Sequence, residues 1–382
     1  MKQIPSGVTA PKGFRAWGVH CGVKSKKADK KDLTLILSDQ ECAAAAVYTM
    51  NRVKAAPLYV TMEHLEDGTA WGVAANSGNA NACCPMSHEY AEEMARLAAR
   101  ATGRAPADFV VASTGVIGQT LNIAAIRAGM PAGLTAGPEG SDAAARAIMT
   151  TDTVKKELAL ACSIGGRTVT LGAIAKGSGM IHPNMGTMLC FVTTDCAITR
   201  EMLSEALREV VPRTFNRVTV DGDTSTNDMC AVLANGMAGN PLIEWKDDGY
   251  TVFLKALRQL CQELARAIAG DGEGASRLIT CAVREARSEE SAERLAKAVV
   301  GSPLVKAAMF GADANWGRVL CAMGYSKAPF RPEYVDISFS SAVGAVAVCR
   351  GGMGLDFDEE AARSILSQDE VVIDVHLHEG EH

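Results

Sequence analysis

Lys176-Gly-Ser-Gly-Met-Ile-His-Pro-Asn-Met-Gly-Thr-Met-Leu189 joins two kinds of local chemistry. Gly177, Gly179, Pro183 and Asn184 interrupt any regular element. An apolar run, Met188-Leu-Cys-Phe-Val192, then starts directly after Thr187 and reads as a buried strand. A threonine at the head of such a strand, behind a glycine, has the form of an N-terminal nucleophile before it is released. Gly186 allows the strained backbone in which the Thr187 hydroxyl reaches the preceding carbonyl. Attack there shifts the acyl group from nitrogen to oxygen, and hydrolysis of the ester leaves Thr187 with a free α-amine. That amine then serves as the general base for its own hydroxyl. The dipeptide alone is a weak signal and reads first as an ordinary loop-to-strand junction.

Outward from this segment, the patterns alternate between strands and helices. Asp32–Asp39, Ala70–Ala75, Phe109–Ser113, Thr168–Ala175 and Met188–Thr193 read as strands, several of which run into Gly-bearing polar loops. Arg217–Asp221 and Tyr334–Phe339 read as further strands, and Val371, Ile373, Val375 and Leu377 alternate as a last one. Helical spacing appears in Tyr90–Ala101, in Asp142–Met149 with Ser141 as its expected cap, and in Thr199–Val211. It recurs in Thr251–Ile268, stopped by Gly270, and in Ser288–Val299. No internal repeat or low-complexity linker is present. The expected fold class is α/β in mixed order (mixed α+β), with a strand order that the sequence leaves open.

Composition narrows the function classes. The chain has 382 residues, a net charge of −6 and only 5% aromatics, which does not suit a ring-lined nucleic-acid surface. Lys24–Lys31 (KSKKADKK) is the sole basic cluster, read as a solvated loop with a phosphate patch as the other reading. The N-terminus lacks the apolar stretch of a signal peptide, and no apolar run approaches membrane-spanning length. The 12 cysteines include no C-x-x-C pair, and Cys83-Cys84 are adjacent. Without a secretion signal they are expected to be free thiols in the reducing cytoplasm, acting as small hydrophobes and not as metal ligands.

Several long motifs then coincide. Besides Lys176–Leu189, continued by Phe191 and Thr193-Thr-Asp195, these are Asn76-Ser-Gly-Asn-Ala-Asn-Ala82, Ala112-Ser-Thr-Gly-Val-Ile-Gly118 and Met149-Thr-Thr-Asp-Thr153. Val220-Asp-Gly-Asp-Thr-Ser-Thr-Asn-Asp228, Gly270-Asp-Gly-Glu-Gly-Ala275 and Phe310-Gly-Ala-Asp-Ala-Asn-Trp-Gly317 follow in the same order. In this the chain resembles the ornithine acetyltransferases, the glutamate N-acetyltransferases of arginine biosynthesis, from about Gly13 to Gly380. The resemblance implies a layered helix–sheet–sheet–helix architecture, N-terminal-nucleophile-like and DmpA-like. It implies self-cleavage between Gly186 and Thr187 into an α chain (1–186) and a β chain (187–382) that fold together. The assembly implied is a heterotetramer of two α and two β chains.

The resemblance also assigns roles. Thr187 is the nucleophile, and Thr114 and Gly115 are the oxyanion donors that a tetrahedral intermediate needs. Thr151, Lys176 and Glu273 contact the substrate, with Lys176 suited to an α-carboxylate and Glu273 to the ornithine ammonium. The partners implied are N-acetylornithine, glutamate and, in some members, acetyl-CoA, with no cofactor, metal, nucleic acid or membrane. Read by itself, Asp-Gly-Glu-Gly also has the look of a metal or phosphate loop. Ligands at calcium-loop spacing are missing, however, and its two acids would repel phosphate. The Asp221–Asp228 loop is expected to be structural and near the site.

Some positions depart from the family. His182 and Gly186 stand where Ala is commoner, and Cys83-Cys84-Pro85 replaces a Cys-Thr-Gly. Family chains continue a few tens of residues past Gly380, and that tail supplies an Asn and a Thr to the substrate. Weak cleavage or weak substrate binding is expected of a chain ending at His382. Two rival functions use the same residues: an amidase or aminopeptidase in which water accepts the acyl group, and a non-catalytic binding protein.

Overall fold

The computed structural model describes residues 1–23, 30–130, 138–182 and 188–382. The chain forms two compact units, residues 1–218 with 223–273, and residues 219–222 with 274–382. In the first, β1 (Lys2–Ile4), β2 (Phe14–Val19), β3 (Leu33–Tyr48), β4 (Thr69–Asn79), β5 (Phe109–Val116), β6 (Lys156–Ile164), β7 (Arg167–Lys176), β8 (Leu189–Thr194) and β9 (Met229–Ala234) join one sheet. Its order is β1-β6-β7-β8-β9-β3-β4-β5, with β2 also paired to β3. The helices of this unit are α1 (Ala56–His64), α2 (Ser87–Thr102), α3 (Ile123–Gly129), α4 (Pro138–Ile148), α5 (Arg200–Val210) and α6 (Asp248–Gly270).

β3 organises the sheet because it belongs to both halves. Leu33–Leu37 pair with β2 and β4, the register shifts between Leu37 and Cys42, and Ala43–Tyr48 pair with β9. Such an irregularity bends a strand and increases its twist. Side chains then alternate between two faces. Val111 packs with Val60 of α1 and Ala91 and Met94 of α2. Val110 and Ala112 turn the other way and pack with Ala144, Ala145 and Ile148 of α4. In the other half, Leu189, Phe191, Met229 and Ala231 join that same α4-centred core. Cys190 and Cys230, paired across β8 and β9, point away from it to Cys261 of α6. The class is therefore mixed α/β, layered helix, sheet, sheet, helix, with α4 between the sheet halves.

α6 shows how sequence and packing agree. Asp247 caps it by accepting a hydrogen bond from the Tyr250 N–H at 2.8 Å, and Phe253, Leu257, Leu260, Leu264 and Ile268 form its buried stripe. In the second unit, β10 (Leu278–Arg284), β11 (Asp336–Ser341), β12 (Gly344–Arg350), β13 (Met353–Gly354) and β14 (Glu370–His376) are ordered β10-β14-β11-β12-β13. α7 (Glu289–Gly301), α8 (Pro303–Phe310), α9 (Trp316–Gly324) and α10 (Glu359–Leu366) complete it. Its core gathers Val305, Met309, Met323, Phe339, Leu366 and the inward residues Val371, Ile373 and Val375 of β14.

Four local expectations change. Ser141 lies inside α4 and does not cap it; its hydroxyl accepts the Val8 N–H at 3.1 Å. Arg217–Asp221 is not a strand, because Phe215–Arg217 closes a 3-10 turn and the chain passes into the second unit without a strand to pair with. There the Val220 carbonyl accepts a hydrogen bond from Lys306 Nζ at 2.5 Å. β4 and β5 run further than their apolar stretches, through Asn79 and Val116, because each supplies the other with backbone partners. Tyr334 ends a 3-10 turn, and β11 starts two residues later. Residues 24–29 of the basic cluster lie outside the described residues; of the remainder, Lys31 Nζ donates to the Gly18 carbonyl at 2.9 Å. No described helix is long and apolar enough to cross a membrane.

Candidate active site

Strand ends converge on one cavity of about 450 Å³ in the first unit. The parallel pairing of β4 with β5 sets Ser77 opposite Thr114 and Gly78 opposite Gly115. Gly115 has φ +134°, and a Cβ there would come within 2.3 Å of the Gly78 carbonyl carbon. Only glycine fits, so the backbone of Thr114 and Gly115 turns at the cavity wall. β7 ends at Lys176, which pairs with Leu189 of β8. Met188 and Leu189 therefore line the cavity beside Lys176, and Lys176 Nζ lies 3.5 Å from Thr114 Oγ1.

Glu273 approaches from the end of α6. Its backbone N–H donates to the Ser178 carbonyl at 3.0 Å. Its carboxylate lies against Gly179, where a Cβ would fall 2.1 Å from Glu273 Oε2. Any larger residue at 179 would displace the acid. Thr150 and Thr151 reach the cavity from the segment between α4 and β6. Of the residues singled out in the sequence, the structure thus gathers Thr114, Gly115, Thr151, Lys176 and Glu273 on one cavity. Gly186 and Thr187 lie outside the described residues. His182 is half-buried, and its carbonyl accepts a hydrogen bond from Thr224 at 2.8 Å.

A family model, described as the ArgJ family, matches residues 15–382. The chain belongs to the ArgJ family. One similar protein is the arginine biosynthesis bifunctional protein ArgJ of Symbiobacterium thermophilum, 53% identical over 383 residues, covering 100% of this chain and 94% of the relative. The arginine biosynthesis bifunctional protein ArgJ of Geobacillus kaustophilus is 47% identical over 378 residues, covering 98% of this chain and 90% of the relative. Among solved structures, the ornithine acetyltransferase complexed with ornithine from Mycobacterium tuberculosis is 37% identical, covering 48% of this chain and 98% of that chain, with a TM-score of 0.43.

Other residues lining the cavity of this ArgJ-family chain carry no role in the sequence reading, Asn227 and Asp228 among them. Asn227 and Asp228 stand at the end of the polar loop that was expected to be structural. Asn227 Nδ2 donates to the carbonyls of Ala80 at 2.6 Å and Ser113 at 2.8 Å, tying the loop to β5 just before Thr114. Asp228 is 2% exposed, and its Oδ2 has no hydrogen-bond partner among the described residues. Burial pushes its carboxyl well above the ordinary carboxylate range, against hydrogen bonds from Ser225 and Thr49 and the charge of Lys176. The available signal was position: Asp228 is the last residue before a buried strand.

The remaining motifs of the ArgJ family build the frame. Asn76 Oδ1 accepts from the Ser113 hydroxyl at 2.6 Å, and Asn79 Oδ1 from the Asn81 N–H at 2.7 Å. Asp195 accepts the Thr170 N–H at 2.7 Å. Asn315, in the motif that ends at Gly317, caps α9 of the second unit.

Proposed function

We propose that this chain transfers the acetyl group of N2-acetyl-L-ornithine to L-glutamate through an acetyl-Thr187 intermediate. As a member of the ArgJ family it is an acyltransferase of arginine biosynthesis. The observation that carries the finer reading is the convergence of Thr114, Gly115, Thr151, Lys176 and Glu273 on one cavity lined by Met188, the residue next to Thr187 in the chain.

The steps follow from these groups. Scission between Gly186 and Thr187 gives chains 1–186 and 187–382 and frees the α-amine of Thr187. That amine takes the hydroxyl proton as Thr187 attacks the acetyl carbonyl of acetylornithine. The oxyanion that forms is stabilised by donors at Thr114 and Gly115, in a cavity where water competes poorly. The ornithine amine leaves with a proton, and Thr187 holds the acetyl ester. Glutamate then enters the same cavity, and its neutral amine attacks the ester to give acetylglutamate and regenerate the hydroxyl. Lys176 pairs with the α-carboxylate of either substrate, Thr151 adds a hydroxyl contact, and Glu273 holds the side-chain ammonium of ornithine. No cofactor is needed, since the acyl bond is passed on. Acetyl-CoA is a second donor in this reading, consistent with the relatives' description as bifunctional. The working form is two α and two β chains in the cytoplasm.

The test combines mass and product. Purified wild type should give two fragments in place of one 40.1 kDa chain, and should convert acetylornithine plus glutamate to acetylglutamate. Thr187→Ala should remain one inactive chain. An intact wild-type chain that never carries acetyl, or one that releases only acetate, overturns the reading.

A further inference from the structure

Behind the cavity lies a second layer of charge. Lys156 and Asp152 have fully buried side chains, and Asp271 is 6% exposed. Lys156 Nζ donates to Asp152 Oδ1 at 2.7 Å and to Asp271 Oδ2 at 2.6 Å. Each acid then grips backbone that leads to the cavity. Asp152 Oδ1 accepts the Gly177 N–H at 2.8 Å, and its Oδ2 accepts the Thr150 N–H at 2.9 Å. Asp271 accepts the Thr153 N–H at 3.1 Å and the Thr153 hydroxyl. Buried ion networks are poor sources of stability, because desolvation offsets most of their attraction; they are better at selecting one geometry.

The connectivity shows which geometry is selected. Asp152 follows Thr151 in the chain and binds the N–H of the residue after Lys176. Asp271 stands two residues before Glu273. The three clasp members thus tie the segment before β6, the end of β7 and the end of α6 into one unit. We propose that Asp152, Lys156 and Asp271 are positioning residues that hold Thr151, Lys176 and Glu273 in register for substrate, without touching it themselves. This rests on the reading above, in which those three residues contact substrate.

The test uses a charge-balanced variant, Lys156→Met with Asp271→Asn, in the full chain. It removes the link between β6 and α6 while leaving Asp152 its two backbone donors. A role in positioning predicts KM for acetylornithine and for glutamate raised on the order of tenfold, with kcat changed much less and Tm near wild type. Wild-type KM values at wild-type Tm overturn the proposal. Should the double variant fail to fold, Thr153→Val removes one hydroxyl donor at the exposed end of the clasp. It should raise KM about twofold or more; unchanged KM there overturns the proposal equally. A wild type that makes no acetylglutamate identifies failure of the functional reading instead, and this proposal falls with it.

Discussion

Asp228 concentrates the energetic tension of the cavity in one side chain. Its burial favours the neutral acid, while the Lys176 ammonium favours the carboxylate. A carboxyl whose folded pKa is raised contributes stability below the ordinary aspartate range, and that contribution is lost as pH rises toward the folded value. Asn reproduces the shape of the neutral acid and does not titrate. Asp228→Asn should therefore cost about 1 kcal/mol or less near pH 4. Its Tm should gain on wild type as pH rises, a trend that thermal unfolding across pH 4 to about 8 will show or refute. The acids of the clasp behave oppositely. Burial raises Asp152, yet the charges of Lys176 and Lys156 outweigh it and hold its carboxyl below the ordinary range. Its stabilisation is present above that range and lost as pH falls through the folded value.

At the scale of elements, the cavity is made where strand ends meet, and a few polar side chains replace the missing ladder. Asn227 is the clearest. It stands just before β9 and donates to the Ala80 carbonyl after β4 and the Ser113 carbonyl of β5. Three elements are joined by one amide. Asn227→Ala leaves both buried carbonyls without that donor, at a cost of about 1–3 kcal/mol. Because Ser113 precedes Thr114, the same change should depress kcat if, as proposed, Thr114 and Gly115 are the oxyanion donors. Chemical denaturation together with steady-state kinetics checks both; an unchanged kcat would separate the tether from the donor geometry.

The whole molecule divides its labour between two cores. Every described residue lining the cavity belongs to the first unit, while Phe339 is fully buried in the core of the second. Phe339→Ala should cost about 3–5 kcal/mol. Hydrogen exchange should report the loss in β11 and β14, with β8 and β9 keeping their protection. Uniform loss of protection across both sheets would show that the units unfold together.

Much of this is legible in the sequence. Each of the long helical stripes formed its helix, and the alternation Val371, Ile373, Val375 formed β14, because burial periodicity is a local property. Thr114, Gly115, Thr151, Lys176 and Glu273 were singled out through unusual motifs, and they share one cavity. What stayed hidden was non-local. Ser141 looked like a cap and instead binds Val8, 133 residues away in the chain. Nothing in the sequence links Asp152, Lys156 and Asp271, since Lys156 and Asp271 stand 115 residues apart in the chain.

Taken alone, the order of residues set the apolar faces, the glycine at 115 that its backbone angle requires, and the family to which the chain belongs. Tertiary structure decided the strand order, the passage of β3 through both sheet halves, and the neighbours of Asp152 and Asp228. The division has a physical cause. Side-chain period and backbone freedom act over a few residues, whereas desolvation and charge pairing depend on what the folded chain brings within a few ångströms.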